Sequence, residues 1–423
     1  MKKHIQPVSK PLNATVNIPG SKSITNRALL LAALADGVSE ISSILISDDT
    51  NACIDALRQL GVMIQYDPTA KVCIVGGCSG RFPKNEASIH CHDAGTVARF
   101  LLAACAASQG KYFFDASQRL RERPISPLLN ALQIQGVTVE PDHAAQMPFT
   151  ILGHGGLSGG EIEIDGSQSG QFASALLMIA PFAQTQVVLK TAHLVSRSYI
   201  DLTCAMMAEF GVQVKKFHQE RYVVPVPQMY TARDYVVEPD FSTASYFFAA
   251  AAVTDGTVTI QPVDIQSSKQ GDVCFLKILT RMGCDVTENS SGITVKGTKE
   301  LEGVSVDMRN GSDTFMTLAA IAPFAKTPTT ITNIGHTRWQ ESNRISVMCE
   351  QLQKLKVNVE EGNDWIRIYP GQPVAGVIDA HNDHRIAMAF SVIGLRVGVE
   401  IEGAECVAKT CPEFFEMWGR LQA

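Results

Sequence analysis

Six times along the chain a short polar stretch gives way to a run of small and apolar residues. The first three are "SKSITNRALLLAALADG" from Ser21, "DAGTVARFLLAACAASQG" from Asp93 and "SQSGQFASALLMIAPFAQ" from Ser167. The others are "DFSTASYFFAAAAVTDG" from Asp240, "SDTFMTLAAIAPFAK" from Ser312 and "NDHRIAMAFSVIGLRVG" from Asn382. Their starts are spaced by roughly 70–75 residues, which is long for a solenoid repeat and suits one α/β subdomain. Each start offers Ser, Asp or Asn as an N-cap, and each run closes near Gly, or near Pro followed by a polar turn. The pattern predicts six helices.

A second element lies between these starts. An amphipathic helix ending in a Gly-turn-strand is predicted at "ACIDALRQLGVMIQY", "SPLLNALQIQGVTVE", "IDLTCAMMAEFGVQVKK" and "VCFLKILTRMGCDVTE". It recurs in "ISVMCEQLQKLKVNVEE", where Lys356 stands in place of the Gly. Alternating segments such as "VVLKTA", "TVTIQPV" and "TTITNI" read as strands. One unit is therefore strand-helix-strand-helix-strand-strand, and the fold class is α/β with six βαβαββ units. The final unit reaches its second helix in "PEFFEMWGRLQA" and then stops without closing strands. The N-terminal segment "IQPVSKPLNATVNIP" is expected to supply them. Two groups of three units follow: one over residues 21–239, the other joining 1–20 to 240–423, with two crossings between the globules and a cleft.

Composition narrows the class. A chain of 423 residues, 45% of them hydrophobic, is ample for sizeable cores. A net charge of −6 with no basic run argues against a nucleic-acid partner. The eleven Cys lack paired spacing, and the nearest pair, Cys73 and Cys78, has no second half. Neither a metal site nor a disulfide framework is indicated, and reduced buried thiols are expected. Two N-terminal lysines are followed by no apolar segment, and the longest apolar runs break before they span a bilayer. A cytoplasmic protein without a membrane partner is expected.

The helix starts carry the candidate chemistry. Lys22 and Arg27 occupy the first turns of their helix, where the backbone already offers positive potential and a cation costs a few tenths of a kcal/mol, roughly. Ser23 stands beside them; Gly95, Thr96 and Arg99 open the second helix, Ser167, Ser169 and Gln171 the third, and His384 and Arg385 the sixth. Free N–H groups at a helix start favour phosphate, and Lys or Arg adds a clamp. Loops contribute Arg119, Arg121 and Arg123, then Arg338 and Arg344, then Lys409. Taken singly, each is a solvated surface charge. Equivalent positions of repeated units face a common side, and convergent cations would repel one another without a polyanionic ligand. Asp313 and Glu341 are the acid/base candidates, although an Asp at a helix start is also a plain cap. Asp48 and Asp49 read as caps of the helix after them, and Asp240 as hinge and cap.

Ten segments, in order, carry a resemblance over essentially the whole chain. They include "PGSKSITNRALLLAALADG", "DAGTVARFLLA", "RLRERPISPLL", "SGQFASALLMIAP", "PDFSTASYFFAAAA", "SDTFMTLAA", "QESNRI", "NDHRIAMAFSV" and "AKTCPEFFE". The chain resembles the 5-enolpyruvylshikimate-3-phosphate synthase family of enolpyruvyl transferases. That resemblance implies two domains of three units each, an inside-out α/β barrel in each, and an active site in the interdomain cleft. It implies transfer of an enolpyruvyl group from phosphoenolpyruvate to the 5-hydroxyl of shikimate-3-phosphate, with phosphate released. No metal or organic cofactor is implied, a monomer is expected, and glyphosate is the family's inhibitor.

By position, the resemblance assigns phosphoenolpyruvate to Lys22, Gly95, Arg123, Gln171, Arg344, Arg385 and Lys409. It assigns shikimate-3-phosphate to Lys22, Ser23, Arg27, Thr96, Ser169, Gln171, Ser196, Tyr199, Asp313, His336 and Gln340. Asp313 would take the proton of the 5-hydroxyl, while Glu341 and Lys22 would shuttle protons at the methylene and the bridging oxygen. The chain departs from the family's usual pattern at Asp93, Phe100, Gly170, His336 and Gln340. These departures fall largely on the acceptor side and keep a different phosphorylated acceptor as an alternative. UDP-N-acetylglucosamine enolpyruvyl transferase is a second, disfavoured because "FDASQRLRERPI" has no Cys. A catalytically inactive repeat scaffold is the third.

Overall fold

The six apolar runs fold as helices, and their burial follows from having no polar face. The computed structural model describes residues 1–218, 220–265, 268–289 and 292–421. The helices are α1 (Lys22–Leu34), α2 (Gly95–Ala107), α3 (Gln171–Ile179), α4 (Phe241–Thr254), α5 (Phe315–Ile321) and α6 (His384–Val397). Every residue of α2 is buried, and so is all of α4 except its last. A helix that is apolar all round belongs inside a protein. Accordingly α1 and α3 pack on α2, while α4, α5 and α6 pack on one another. Sheets enclose each trio, so the helices lie inside and the strands outside.

The chain separates into two compact units, each with its own apolar core. Residues Gly20–Val237 form one; Met1–Pro19 and Glu238–Ala423 form the other. In the first unit, Glu86–His90 runs parallel to Gln109–Asp115, which pairs antiparallel with Phe149–His154 and through it with Thr138–Glu140. The same order recurs in Gly160–Asp165, Val187–Ala192, Arg221–Val224 and Lys215–Phe217. Each of these two sheets thus has one parallel and two antiparallel pairings, as the strand-helix-strand-helix-strand-strand unit requires.

The N-terminus divides its strands differently from the expectation. Lys2–Ile5 closes the last unit by pairing antiparallel with Val399–Glu402, giving a three-stranded sheet with Gly376–Asp379. The stretch after Ile5 does not supply that sheet. Its strand, Asn13–Asn17, instead runs parallel to Thr257–Gln261 after α4. The N-terminal segment therefore serves two sheets, and both belong to the unit that also holds the C-terminus.

The turns after the amphipathic helices require left-handed backbone. Gly61, Gly136, Gly211 and Gly283 sit there at φ between 87° and 100°, and Lys356 holds the equivalent place at φ 64°. Two cap assignments differ from each other. Asp240 caps α4, its carboxylate accepting from Thr243 N at 2.7 Å. Asp48 and Asp49 are not caps: Ser47 caps their helix by accepting from Thr50 N, and the two carboxylates lie in its first turn. All eleven cysteines are free thiols, most of them buried. Among the described residues, no helix is long and apolar enough to cross a membrane.

Candidate active site

In the unit spanning Gly20–Val237, the starts of α1, α2 and α3 hold polar groups at close range. Lys22 opens α1, where no acidic residue balances the helix dipole. Its Nζ lies 3.1 Å from Asp49 Oδ2, and both side chains are nearly buried. Asp49 therefore supplies the negative charge that the first turn of α1 lacks. Arg27 is buried deeper, at 2% exposure. Its guanidinium donates to Thr203 Oγ1 at 2.8 Å, to Ser23 O at 3.0 Å and to Tyr199 O at 3.4 Å, and stacks over Phe100. Burial lowers its pKa to about 10, so it stays charged at neutral pH, and the guanidinium fork keeps donors to spare.

At the start of α2 the backbone is bare for a steric reason. A Cβ on Gly95 would stand 2.5 Å from Arg99 Nη1 and 2.9 Å from Arg123 Nη1. Arg99 bonds Gly95 O and Pro124 O, which straps the loop carrying Arg123 against this helix start. Arg99 is thus a buried tie. Arg121 forms a two-pronged pair with Asp115, and Arg119 pairs with Glu122 at 3.4 Å. Of that loop's three cations, Arg123 is the one placed beside Gly95. Gln171, first residue of α3, reaches Thr96 Oγ1 at 3.5 Å, and its N–H donates to Ser169 Oγ at 3.2 Å. Ser196 holds a left-handed backbone at φ 56° ahead of the helix that carries Tyr199. Gly170 has a packing reason too, because a Cβ there would lie 3.0 Å from Val195 O. A side chain at this position would crowd that loop.

The other unit assembles a network around Asp313. This residue does not cap α5; it lies in a tight turn, Ser312–Thr314, ahead of that helix. One carboxylate oxygen accepts from Arg385 Nη2 at 2.7 Å, and the other lies 3.3 Å from Arg344 Nη1. Arg344 is 1% exposed and also bonds Asp383, at 2.8 Å from Nε, and Glu341, at 2.8 Å from Nη2. Its Nη1 donates to Gln340 as well. Lys409 Nζ lies 3.4 Å from Glu341. Burial works to lower the pKa of Arg344, but Asp383, Glu341 and Asp313 outweigh it and hold the guanidinium protonated. His336 pairs through Nε2 with Ser312 Oγ at 2.9 Å, and burial lowers its imidazole to about 4. It is neutral at physiological pH. Arg338, by contrast, is spent on Glu361, Asn343 and Gly362 O.

The sequence-derived candidates thus fall into two sets. Lys22, Ser23, Arg27, Gly95, Thr96, Arg123, Ser169, Gln171, Ser196 and Tyr199 belong to one unit. Asp313, His336, Gln340, Glu341, Arg344, Arg385 and Lys409 belong to the other. Sequence reasoning missed the carboxylates that hold the cations. Asp49 on Lys22 and Asp383 on Arg344 make the clusters electrically tolerable without a ligand. Repulsion among the cations therefore does not by itself demand a polyanion. The signal for Asp383 lay in "NDHR", where an Asp precedes two basic residues at a helix start.

The chain is similar to known proteins along its whole length. The family model described as EPSP synthase (3-phosphoshikimate 1-carboxyvinyltransferase) matches residues 7–418. A 3-phosphoshikimate 1-carboxyvinyltransferase of Nostoc punctiforme is 43% identical over 414 residues, 97% of each chain. One of Syntrophobacter fumaroxidans is 44% identical over 429 residues, covering all of both chains. Among solved structures, EPSP synthase from Acinetobacter baumannii superposes with a TM-score of 0.84 at 26% identity, covering 99% of this chain and 98% of its own.

Proposed function

The chain belongs to the EPSP synthase (3-phosphoshikimate 1-carboxyvinyltransferase) family, and on that premise we propose how its residues carry the reaction. It transfers the enolpyruvyl group of phosphoenolpyruvate to the 5-hydroxyl of shikimate-3-phosphate and releases phosphate. Adding an alcohol to an enol phosphate needs a proton at the methylene carbon and stabilised positive character at the carbon beside it. It also needs the carboxylate and phosphate charges clamped throughout. Lys22, Gly95, Arg123 and Gln171 of one unit, with Arg344, Arg385 and Lys409 of the other, hold phosphoenolpyruvate. Ser23, Arg27, Thr96, Ser169, Gln171, Ser196 and Tyr199, with Asp313, His336 and Gln340, hold shikimate-3-phosphate, and Lys22 touches both. Asp313 takes the hydroxyl proton; Glu341 and Lys22 manage protons at the methylene and the bridging oxygen. The enzyme acts as a monomer in the cytoplasm and is a target of glyphosate, the family's inhibitor.

The observation that carries this reading is the placement of Asp313 between Arg385 and Arg344, with Glu341 shared by Arg344 and Lys409. A carboxylate that exchanges arginine partners with an incoming anion is freed as a base when the substrate arrives. The test is phosphate release from phosphoenolpyruvate with shikimate-3-phosphate, run beside UDP-N-acetylglucosamine as acceptor. Turnover is expected with the first alone. Asp313→Asn should lower kcat by about two orders of magnitude or more. Its melting temperature should move little, because Arg344 keeps Asp383 and Glu341. A folded Asp313→Asn variant with wild-type turnover would remove Asp313 from the chemistry.

A further inference from the structure

A second carboxylate lies behind Asp313, and sequence reasoning did not single it out. Asp272 is 5% exposed, in the turn Gly271–Val273, and its Oδ2 accepts from Ser242 Oγ at 2.7 Å. The loop before it is tied down. Gln270 Oε1 accepts from Phe241 N at 3.0 Å, while Nε2 donates to Pro239 O at 2.8 Å and to Glu238 at 3.0 Å. The Gly271–Val273 turn packs against the turn that carries Asp313. Their approach is as close as glycine allows, since a Cβ on Gly311 would stand 2.3 Å from Cys274 Sγ.

We propose that Asp272 is a positioning residue for the transfer, acting through Asp313: when ionised, it raises the basicity of the carboxylate that takes the hydroxyl proton. The inference rests on the role proposed above for Asp313. Two guanidinium partners favour the ionised form of a carboxylate and so make it a weak base. A fixed negative charge behind it works against that effect, at the cost of keeping Asp272 buried. The charged groups facing Asp272 are Asp313 from the neighbouring turn, Arg385 from α6 and Asp240 from the start of α4. Burial first, then the Asp313 charge, push the Asp272 carboxyl up to about 7; Arg385 and the Ser242 hydroxyl oppose this. Cys274, next but one along the chain, is raised by burial and by Asp272, and stays a thiol. Tyr246 on α4 is raised by burial, and the nearby Arg385 charge opposes this. His336, near Asp313, is already neutral through this range. Asp272 is therefore the group whose charge changes near neutral pH while Asp313 remains the base.

The experiment compares kcat across pH in the full chain for wild type, Asp272→Asn and Ser242→Ala, with both substrates saturating. Ionisation of the substrates' own phosphates is common to all three proteins and cancels in a ratio. The ratio of wild type to Asp272→Asn should lie near one at about pH 5.5 and climb toward about tenfold by pH 8.5. Ser242→Ala removes a hydrogen bond to the ionised form, so Asp272 holds its proton to higher pH. The ratio of wild type to Ser242→Ala should therefore peak near neutrality and return toward one at high pH. A purely structural role would give ratios that do not vary with pH, and that result overturns the inference. If Asp272→Asn does not fold, a pH-independent Ser242→Ala ratio overturns it equally. Asp313→Asn separates the two claims. Retained turnover there defeats the Asp313 role itself, whereas an inactive Asp313→Asn with flat Asp272 ratios defeats only this inference.

Discussion

His336 and Asp272 are both buried against the network around Asp313, and they store protons in opposite senses. Burial lowers His336 from 6.5 to about 4, so through that window the folded chain holds fewer protons than the unfolded one. Its contribution to stability is present above pH 6.5 and is lost as pH falls toward 4. Asp272 is raised from 3.8 to about 7, so its contribution is present below 3.8 and is lost as pH rises toward 7. Each slope is at most about 1.4 kcal/mol per pH unit, and over their shared range the two nearly cancel. His336→Asn should therefore show a urea midpoint that falls as pH rises from about 4.5 to 6.5, and Asp272→Asn one that rises. Curves parallel to wild type would mean that neither group is perturbed as described. These paired effects show why the site was half legible in the sequence. Lys22, Arg344 and Arg385 stood out because a cation at or near a helix start opposes local electrostatics. Their counter-charges did not, because Asp49 follows a serine that makes an ordinary cap and Asp272 sits in an unremarkable turn. A carboxylate is assigned its partner by packing, and adjacency along the chain says little about packing.

At the scale of elements, the turn after each amphipathic helix demands a left-handed residue, and four of the five repeats with that helix-turn-strand supply glycine. Lys356 meets the same demand at φ 64°, where a side chain costs roughly 1 kcal/mol relative to glycine. Its N–H bonds Gln353 O at 2.9 Å, so the turn is formed in spite of that cost. Lys356→Gly should therefore stabilise the protein by up to about 1 kcal/mol, less the chain entropy that glycine adds to the unfolded state. Chemical denaturation would read the change, and a loss of stability would show that the lysine makes a compensating contact. The helices and these turns were readable because apolar periodicity and glycine placement are local signals. The strand partners were not. Lys2 lies opposite Glu402, a pairing set by how the last unit closes, and nothing near either residue records it. The segment from Ile5 to Pro19 had the right composition for strands, but which sheet it joined depended on the fold of the whole unit.

For the whole molecule, the proposed chemistry draws on groups that the chain distributes between two units. Lys22, Arg123 and Gln171 come from one, and Asp313, Glu341, Arg344, Arg385 and Lys409 from the other. The backbone passes between units twice, at Pro19–Gly20 and at Val237–Glu238. Gly20 permits one crossing sterically, since a Cβ there would stand 2.1 Å from Ser43 O. Two short crossings leave each unit with its own core, so relative motion of the units is the natural default. In each unit some of the cations proposed to bind substrate are paired with that unit's own carboxylates, as Lys22 is with Asp49 and Arg385 with Asp313. An anionic substrate that engages both sets of groups would replace some of those pairs. In the proposed reaction, the energy for bringing both sets of groups onto one substrate comes from the substrate. Shikimate-3-phosphate should therefore lower the radius of gyration by about 1 Å in small-angle scattering and reduce proteolysis at the two crossings. Arg27→Ala, which removes a proposed contact to shikimate-3-phosphate without touching either crossing, should blunt the response at the same ligand concentration. Scattering profiles that superimpose with and without the ligand, in a sample that turns over, would show that both sets of groups reach the substrate without any closure.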